Sequence, residues 1–589
     1  MPALMPNDSS FDRRRFLTLC SALGLASTIF PSALLAQAEE KGGLTRETVA
    51  QAAALAGLHF SPDQEDMMLA DLTDALGDYE AIRKLDLANS VAPALLFDPV
   101  LPGMKFESAR RPMRMSAAAP LAAPKNLEDA AFYSLRQLGE LIRTRKVSSL
   151  ALTQMYLERL KRFDSLLLFT VTLTEERALA QAREADRDLA RGKYRGPLHG
   201  LPWGAKDLLA TKGYRTTWGA AGFEDQYIDQ DATVVQRLDA AGAVLVAKLT
   251  LGALALGDKW FYGMTRNPWK TDQGSSGSSA GPASATVAGC VAFSIGSETL
   301  GSISSPSTRC GATGLRPTFG RVPRTGAMAL SWSMDKLGPI CRYVEDTALV
   351  LATIAGADGK DRTAHDLPFN WDAALDLKSL RIGYLKADFD REPAPDAKPE
   401  DKARRLESKK IDDAALDVLR GKLGLQLTPV ELPKLPYGNM LIILTAESAA
   451  AFDQLTRSGR DKLLTSQTKD DWPNNFRSSR FIPAVEYIQA NRARTLAMEQ
   501  MAALFKKVDV IVTPTFSTQL LVTNLTGHPA LILPNGFRAD GTPTSLTFLG
   551  NLFGEAQICA VGRAYQQATE WHLRHPKLVP GPAPEPAKS

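Results

Sequence analysis

From Gly274 to Ser302 the chain reads G-S-S-G-S-S-A-G-P-A-S-A-T-V-A-G-C-V-A-F-S-I-G-S-E-T-L-G-S. Small residues and hydroxyls crowd two glycine-flanked turns around one short apolar run, Cys290 to Ile295, which suits a buried strand. Serines supply nucleophilic oxygens and proton carriers, and glycines let backbone N–H groups approach a ligand closely. A flexible linker of similar composition would be polar throughout, so an active-site loop is the better reading. Ser302 follows Gly301 in the turn that closes the run. The successive N–H groups of Thr299, Leu300, Gly301 and Ser302 are placed to meet charge developing on a carbonyl oxygen, as acyl transfer requires.

A serine nucleophile needs a base. Lys206 stands in Leu201-Pro202-Trp203-Gly204-Ala205-Lys206-Asp207-Leu208, flanked by apolar residues and glycine where a solvated lysine would have polar neighbours. Burial disfavours the ammonium and can turn the amine into a general base. Other chemistries fit less well. Gly277-Ser278-Ser279-Ala280-Gly281 matches the G-x-S-x-G nucleophile elbow, but the residues before it, Asn267 to Gln273, read as a loop where the elbow needs a strand. Gly252 to Lys259 falls short of a phosphate-binding loop because Asp258 separates Gly257 from Lys259. The six histidines have no metal-binding spacing. The four cysteines after Cys20 show no C-x-x-C pair and are expected as buried thiols.

The elements that must position these groups alternate in type. Helical patterns at Leu150 to Leu160, Glu175 to Ala190 and Thr233 to Ala241 are interleaved with β-branched runs at Phe169 to Leu173 and Ala243 to Ala247. Later strands are expected at Val508 to Val512, Ala530 to Leu533 and Ser545 to Phe548. The alternation predicts an α/β fold. Arg391 to Lys410 is charged, lacks apolar periodicity and is expected to be a surface excursion. Near the N-terminus, Ser61-Pro62-Asp63-Gln64 has the form of a capped helix start. With Leu44 to Leu58 it forms a small helical extension, followed by a proline-containing linker.

The chain has 589 residues and a net charge of only +4 from 69 basic and 65 acidic residues, which gives no reason to expect a nucleic-acid partner. Asp12-Arg13-Arg14-Arg15-Phe16-Leu17 leads into an apolar stretch ending at Ala36-Gln37-Ala38, a small-x-small cleavage site. This segment resembles a twin-arginine export signal. It implies a periplasmic or secreted protein with no stable membrane insertion after cleavage.

Further motifs accompany the serine loop: Leu198-His199-Gly200-Leu201-Pro202, Asp231-Ala232-Thr233-Val234-Val235, Thr265-Arg266-Asn267-Pro268-Trp269, Gly314-Leu315-Arg316-Pro317-Thr318, and Gly338-Pro339-Ile340 with Val344-Glu345-Asp346. With Thr513-Pro514-Thr515 and Pro529-Ala530, these motifs resemble the amidase signature family of serine hydrolases acting on carboxamides. The resemblance is dense from Asn126 to Asp358, returns at Asp509 to Gly550 and is poor from about 365 to 500.

The family resemblance implies a single large domain, a mixed sheet covered by helices on both faces. The expected layout is a signal at 1–38, the helical extension at 39–90, a linker at 91–125, the catalytic domain at 126–575 and a proline-rich tail at 576–589. The resemblance also implies a Ser-cisSer-Lys set with Ser302 as nucleophile, Lys206 as base and a bridging serine. Gapless alignment back from Ser302 selects Ser278 as the bridge, while the local wording Gly274-Ser275-Ser276-Gly277 favours Ser275. Ser278 is preferred, because Ser275 would require a three-residue insertion.

No metal or organic cofactor is implied, and the expected partners are a small amide substrate and, in a homodimer, a second copy. Two departures bear on activity: Leu300 stands where the family has Gly, and Ser304 where it has Arg; Glu298 also replaces the usual Asp. A left-handed backbone at 300 would cost leucine about 1–2 kcal/mol. The alternatives are an amidase-like binding protein in which Leu300 blocks turnover, and a glutaminase-type subunit of a tRNA-dependent amidotransferase.

Overall fold

The computed structural model describes residues 44–117 and 121–579. The segment expected to be an export signal lies outside the described residues. The chain divides into two compact units, Met1–Ala88 with Phe481–Pro483, and Asn89–Arg480 with Ala484–Ser589.

In the smaller unit, helix α1 (Arg46–Leu55) is followed by α2 (Pro62–Arg83). Ser61 and Gln64 cap α2 reciprocally, each side chain taking the other residue's N–H, and Pro62 occupies the first turn. No residue of α2 is fully buried.

The larger unit is built on one eleven-stranded mixed sheet. In chain order its strands are β1 (Thr170–Leu173), β2 (Pro202–Lys206), β3 (Val244–Leu249), β4 (Phe293–Glu298), β5 (Thr313–Arg316), β6 (Lys336–Cys341), β7 (Ile382–Tyr384), β8 (Leu427–Pro429), β9 (Val510–Pro514), β10 (Ala530–Phe537) and β11 (Pro543–Gly550). Across the sheet they run β1-β3-β2-β4-β6-β5-β10-β11-β9-β7-β8. The sheet is covered on both faces, as the first half of β3 shows. Leu245 belongs to the main core, while Val244 and Val246 join a second cluster with Leu157, Leu160 and Phe163 of helix α3 (Ser149–Leu167). The alternation holds from Val244 to Val246 and is broken by an irregularity in the pairing with β2, after which Ala247 and Leu249 join the second cluster.

β3, β2 and β4 are mutually parallel and adjacent, so the carboxyl ends of β2 and β4, Lys206 and Glu298, open at one edge of the sheet. Crevices outside such ends are where open α/β sheets place ligands. Between β3 and β4 lies α6 (Ala280–Val287), whose eight residues are all buried; α4 (Glu175–Ala190) and α5 (Thr233–Ala240) precede it in the chain. Its small residues follow from close packing. A methyl group at Gly281 would fall 2.5 Å from the Thr250 nitrogen.

Three details differ from the sequence expectation. The apolar run at Cys290 starts one turn too early for the strand, because the Cys290 N–H closes the end of α6 on the Ala285 carbonyl at 2.9 Å. β4 begins at Phe293. The tract Arg391 to Lys410 is not wholly irregular: a helix, Pro399–Asp417, starts inside it. Its buried residues, Asp412, Ala415 and Leu416, all lie beyond Lys410, so the apolar anchor falls outside the charged tract. The proline-containing segment after Ala88 is tied to the larger unit. Asn89 bonds Ala329 and Ala451, and Phe97 lies 3.4 Å under the Arg494 guanidinium.

Candidate active site

Lys206 is the last residue of β2 and is completely buried. Its Nζ lies 2.8 Å from Ser278 Oγ, 2.9 Å from Ser297 Oγ and 3.1 Å from Ser279 Oγ. Every one of these partners is a neutral hydroxyl. Asp207, the adjacent carboxylate, is turned to its own buried lysine, with Oδ1 2.8 Å from Lys248 Nζ and Oδ2 taking the Thr217 N–H and hydroxyl.

Burial therefore dominates at Lys206 and holds the amine well below the ordinary lysine value of 10.5, against the smaller opposing pull of Asp335 and Glu298. The surrounding hydroxyls can accommodate an uncharged amine. Ser279 Oγ gives its proton to the Ser297 carbonyl at 3.1 Å, so it accepts from Lys206. Ser297 Oγ and Ser278 Oγ also stand within hydrogen-bond distance of the nitrogen, and once the amine is neutral its two protons serve Ser279 and Ser297 while its lone pair is available to the Ser278 hydroxyl.

The Gly277–Ser278 peptide bond is cis. Ser275, the other candidate bridge, bonds its hydroxyl to the Ser276 carbonyl and makes no bond to Lys206. The loop bearing Ser302 reaches the same place, since the Ser302 carbonyl accepts the Ser279 N–H at 3.1 Å. Ser302 keeps 8% of its surface, against 0–1% for Lys206, Ser278 and Ser279, and is the most accessible of these four buried residues.

The backbone around Ser302 sorts its donors. The N–H groups of Ile303 and Ser304 are both taken by Glu298 Oε2, at 2.9 and 2.8 Å. Among the described residues no acceptor takes the N–H groups of Thr299, Leu300, Gly301 or Ser302. Free, adjacent donors beside a serine are what an oxyanion site requires. The left-handed residue in this turn is Gly301, with φ 89°; Leu300 is not in that region, so its departure from glycine carries no backbone strain, and its side chain packs on the main core. Gly301→Ala is accordingly expected to cost about 1–2 kcal/mol at this turn and to lower kcat about tenfold or more, measured by steady-state kinetics.

Glu298 organises the far side of the loop. Its carboxylate also receives the Ser304 hydroxyl at 2.8 Å, Asn524 Nδ2 at 2.9 Å and Arg316 Nη1 at 2.7 Å. Ser304, standing where an arginine was expected, thus serves the same carboxylate, and the buried positive charge comes from Arg316 on β5. Burial pushes the Glu298 carboxyl up, but Arg316, Lys336 and the Ser304 N–H outweigh it and bring it down to about 2. Thr299 is tied down separately, its hydroxyl donating to Asp335 at 2.5 Å.

Sequence reasoning met Ser279 only as the serine of the rejected G-x-S-x-G match and did not single out Ser297 or Asp335. Ser297 carried a usable signal: it has the strand parity of Phe293 and Ile295, a lone hydroxyl on a face otherwise apolar.

The family model described as Amidase matches residues 151–522. The chain belongs to the amidase signature family. It is an amidohydrolase acting on amide C–N bonds. It is 33% identical over 491 residues to a glutamyl-tRNA(Gln) amidotransferase subunit of Thermosynechococcus vestitus, covering 75% of this chain and 99% of the relative. The same subunit from Chloroflexus aggregans is 36% identical over 488 residues, covering 74% and 96%. Among solved structures it resembles the native peptide amidase from Stenotrophomonas maltophilia, with 28% identity, TM-score 0.66, and 76% and 99% of the two chains covered. A bacterial aryl acylamidase of the amidase signature family shares the fold at 20% identity and TM-score 0.64.

Proposed function

We propose that this amidase hydrolyses a carboxamide to a carboxylate and an amine or ammonia through an acyl-Ser302 intermediate. The observation that carries the reading is the contact between a buried amine and a serine hydroxyl, Lys206 Nζ to Ser278 Oγ, in a shell free of carboxylates. Neutral Lys206 draws the Ser278 proton, and Ser278 draws that of Ser302 as its oxygen bonds to the amide carbon. The electron pair of the C=O moves onto oxygen and is met by the N–H groups of residues 299 to 302. As the pair returns, the C–N bond breaks and the proton passes back through Ser278 to the departing nitrogen. Water then adds to the acyl-enzyme by the same relay, releasing the carboxylate and restoring Ser302.

A fluorophosphonate probe is expected to label the wild-type chain on Ser302, with labelling lost in Ser302→Ala. Labelling that persists in the variant removes Ser302 as nucleophile.

Likeness to a peptide amidase makes peptide and aryl amides the first substrates to screen by amine or ammonia release. The amidotransferase relatives favour a second reading, a glutaminase-type subunit, for which glutamine would be the amide consumed. Export to the periplasm is part of the first reading. It rests on the arginine-led N-terminal segment, and sequencing the mature N-terminus tests it: processing after Ala38 supports the exported amidase, and an intact cytosolic chain favours the amidotransferase reading.

A further inference from the structure

The stretch that falls short of a phosphate-binding loop has a different use in the fold. Asp258, the residue that interrupts the motif, precedes a short hairpin strand, Lys259–Trp260. Its carboxylate Oδ2 accepts the backbone N–H of Ser276 at 2.8 Å. The contact is close along its whole length. A methyl group at Gly274 would sit 2.1 Å from that same oxygen, and one at Gly277 would sit 1.8 Å from the Gly257 carbonyl. Glycine on either side of Ser275-Ser276 is therefore required for the Gly257-Asp258 segment to lie against the turn. That turn leads directly into Ser278.

Ser276 is held in a left-handed conformation, φ 59°, and its hydroxyl lies 2.7 Å from the Ser305 hydroxyl. Ser305 in turn donates its N–H to the Gly301 carbonyl at 2.7 Å. One half-buried carboxylate thus fixes the backbone two residues before Ser278, and through one hydroxyl pair it is joined to the loop carrying Ser302.

We propose that Asp258 is a positioning residue for amide cleavage, holding the Ser278 turn and the Ser302 loop in register. This rests on the Lys206–Ser278–Ser302 reading above. A relay through two hydroxyls works only at near-contact distances, and a displacement of about 1 Å costs about a hundredfold in rate. The relay acts in the chemical step, so the effect is expected on kcat.

The experiment measures kcat and KM on an amide that the screen finds to be turned over, together with the rate of fluorophosphonate labelling and Tm. Asp258→Ala is expected to lower kcat and the labelling rate about 30- to 100-fold with KM within about twofold. Asp258→Asn keeps an acceptor oxygen for the Ser276 N–H and is expected to recover kcat to within about fivefold of wild type. Ser276→Gly preserves the left-handed backbone and the N–H while deleting the hydroxyl. It is expected to reduce kcat about three- to tenfold, and Ser305→Ala should add nothing to it, because both remove the same bond.

Wild-type kcat in Asp258→Ala, a loss appearing only in KM, or Asp258→Asn no better than Asp258→Ala would each overturn the positioning role while leaving the amidase reading intact. A wild-type chain that neither labels nor hydrolyses any amide overturns both.

Discussion

Lys206→Ala is expected to lower kcat/KM by about 10³-fold or more, the upper range of what a positioned general base contributes. The size of the effect follows from the company the amine keeps. Nζ touches three serine hydroxyls, the neighbouring Asp207 is paired with Lys248, and burial favours the neutral form. Among the described residues no other basic side chain bonds Ser278, so deletion leaves Ser302 without a route for its proton.

The wild-type pH profile carries the matching sign. Only deprotonated Lys206 can accept a proton, so kcat/KM should rise with pH through the lowered pKa and level off below the ordinary lysine value of 10.5. Lys206→Met, which fills the same volume, should be as slow as Lys206→Ala while holding Tm nearer to wild type. Activity that falls with rising pH across this range, or wild-type labelling in either variant, would rule out the neutral-amine role.

How far the sequence alone reached depends on which force fixes each feature. Lys206 was legible because local composition foretells burial: Leu201 to Leu208 leaves a charge no solvent. Ser278 came from the family resemblance, by gapless alignment back from Ser302, and its hydroxyl lies on the Lys206 amine. Ser279 and Ser297 were not legible, because hydroxyls in a serine-rich stretch look alike until folding turns some of them toward the amine.

Asp258 was noticed only as a defect in a phosphate-loop pattern. Its partner lies eighteen residues away across a hairpin, and pairing over that separation is a tertiary fact. The strands were legible from β-branched runs, but the helix from Pro399 was hidden, since its exposed first half carries charge and its apolar anchors come late. Leu300 illustrates the opposite error. Comparison of residue types suggested strain at a position whose backbone is unstrained, because Gly301 makes the left-handed turn.

The largest effect on stability is expected from the Glu298–Arg316 pair, which is fully buried on both sides. Arg316 has further bonds to the Thr523 hydroxyl and the His528 carbonyl, but these are neutral acceptors. Glu298→Gln leaves its guanidinium buried without a counter-charge, and breaking a buried pair from one side costs about 3–5 kcal/mol. Because Glu298 also receives the Ile303 and Ser304 N–H groups just after the nucleophile, the same variant should lower kcat about tenfold or more through displacement of that loop.

The pH dependence follows from the direction of the shift. The Glu298 carboxyl titrates at about 2 in the folded chain against 4.5 when free, so the folded state holds the ionised form more tightly. Its contribution is complete above about pH 4.5 and drains away as pH falls toward 2, on the order of 3 kcal/mol in total. Thermal unfolding of wild type from neutral pH downward should therefore show an acid-sensitive fall in Tm that is shallower in Glu298→Gln, since other carboxylates with lowered pKa, Asp358 and Glu555 among them, remain. Replacing both members, with Arg316→Met added to Glu298→Gln, removes the stranded charge and should recover part of the lost stability, giving a coupling energy of several kcal/mol in the double-mutant cycle. Additive losses in that cycle would show that the two side chains stabilise the loop independently, and the Glu298–Arg316 pair could then no longer be read as the tie that holds it.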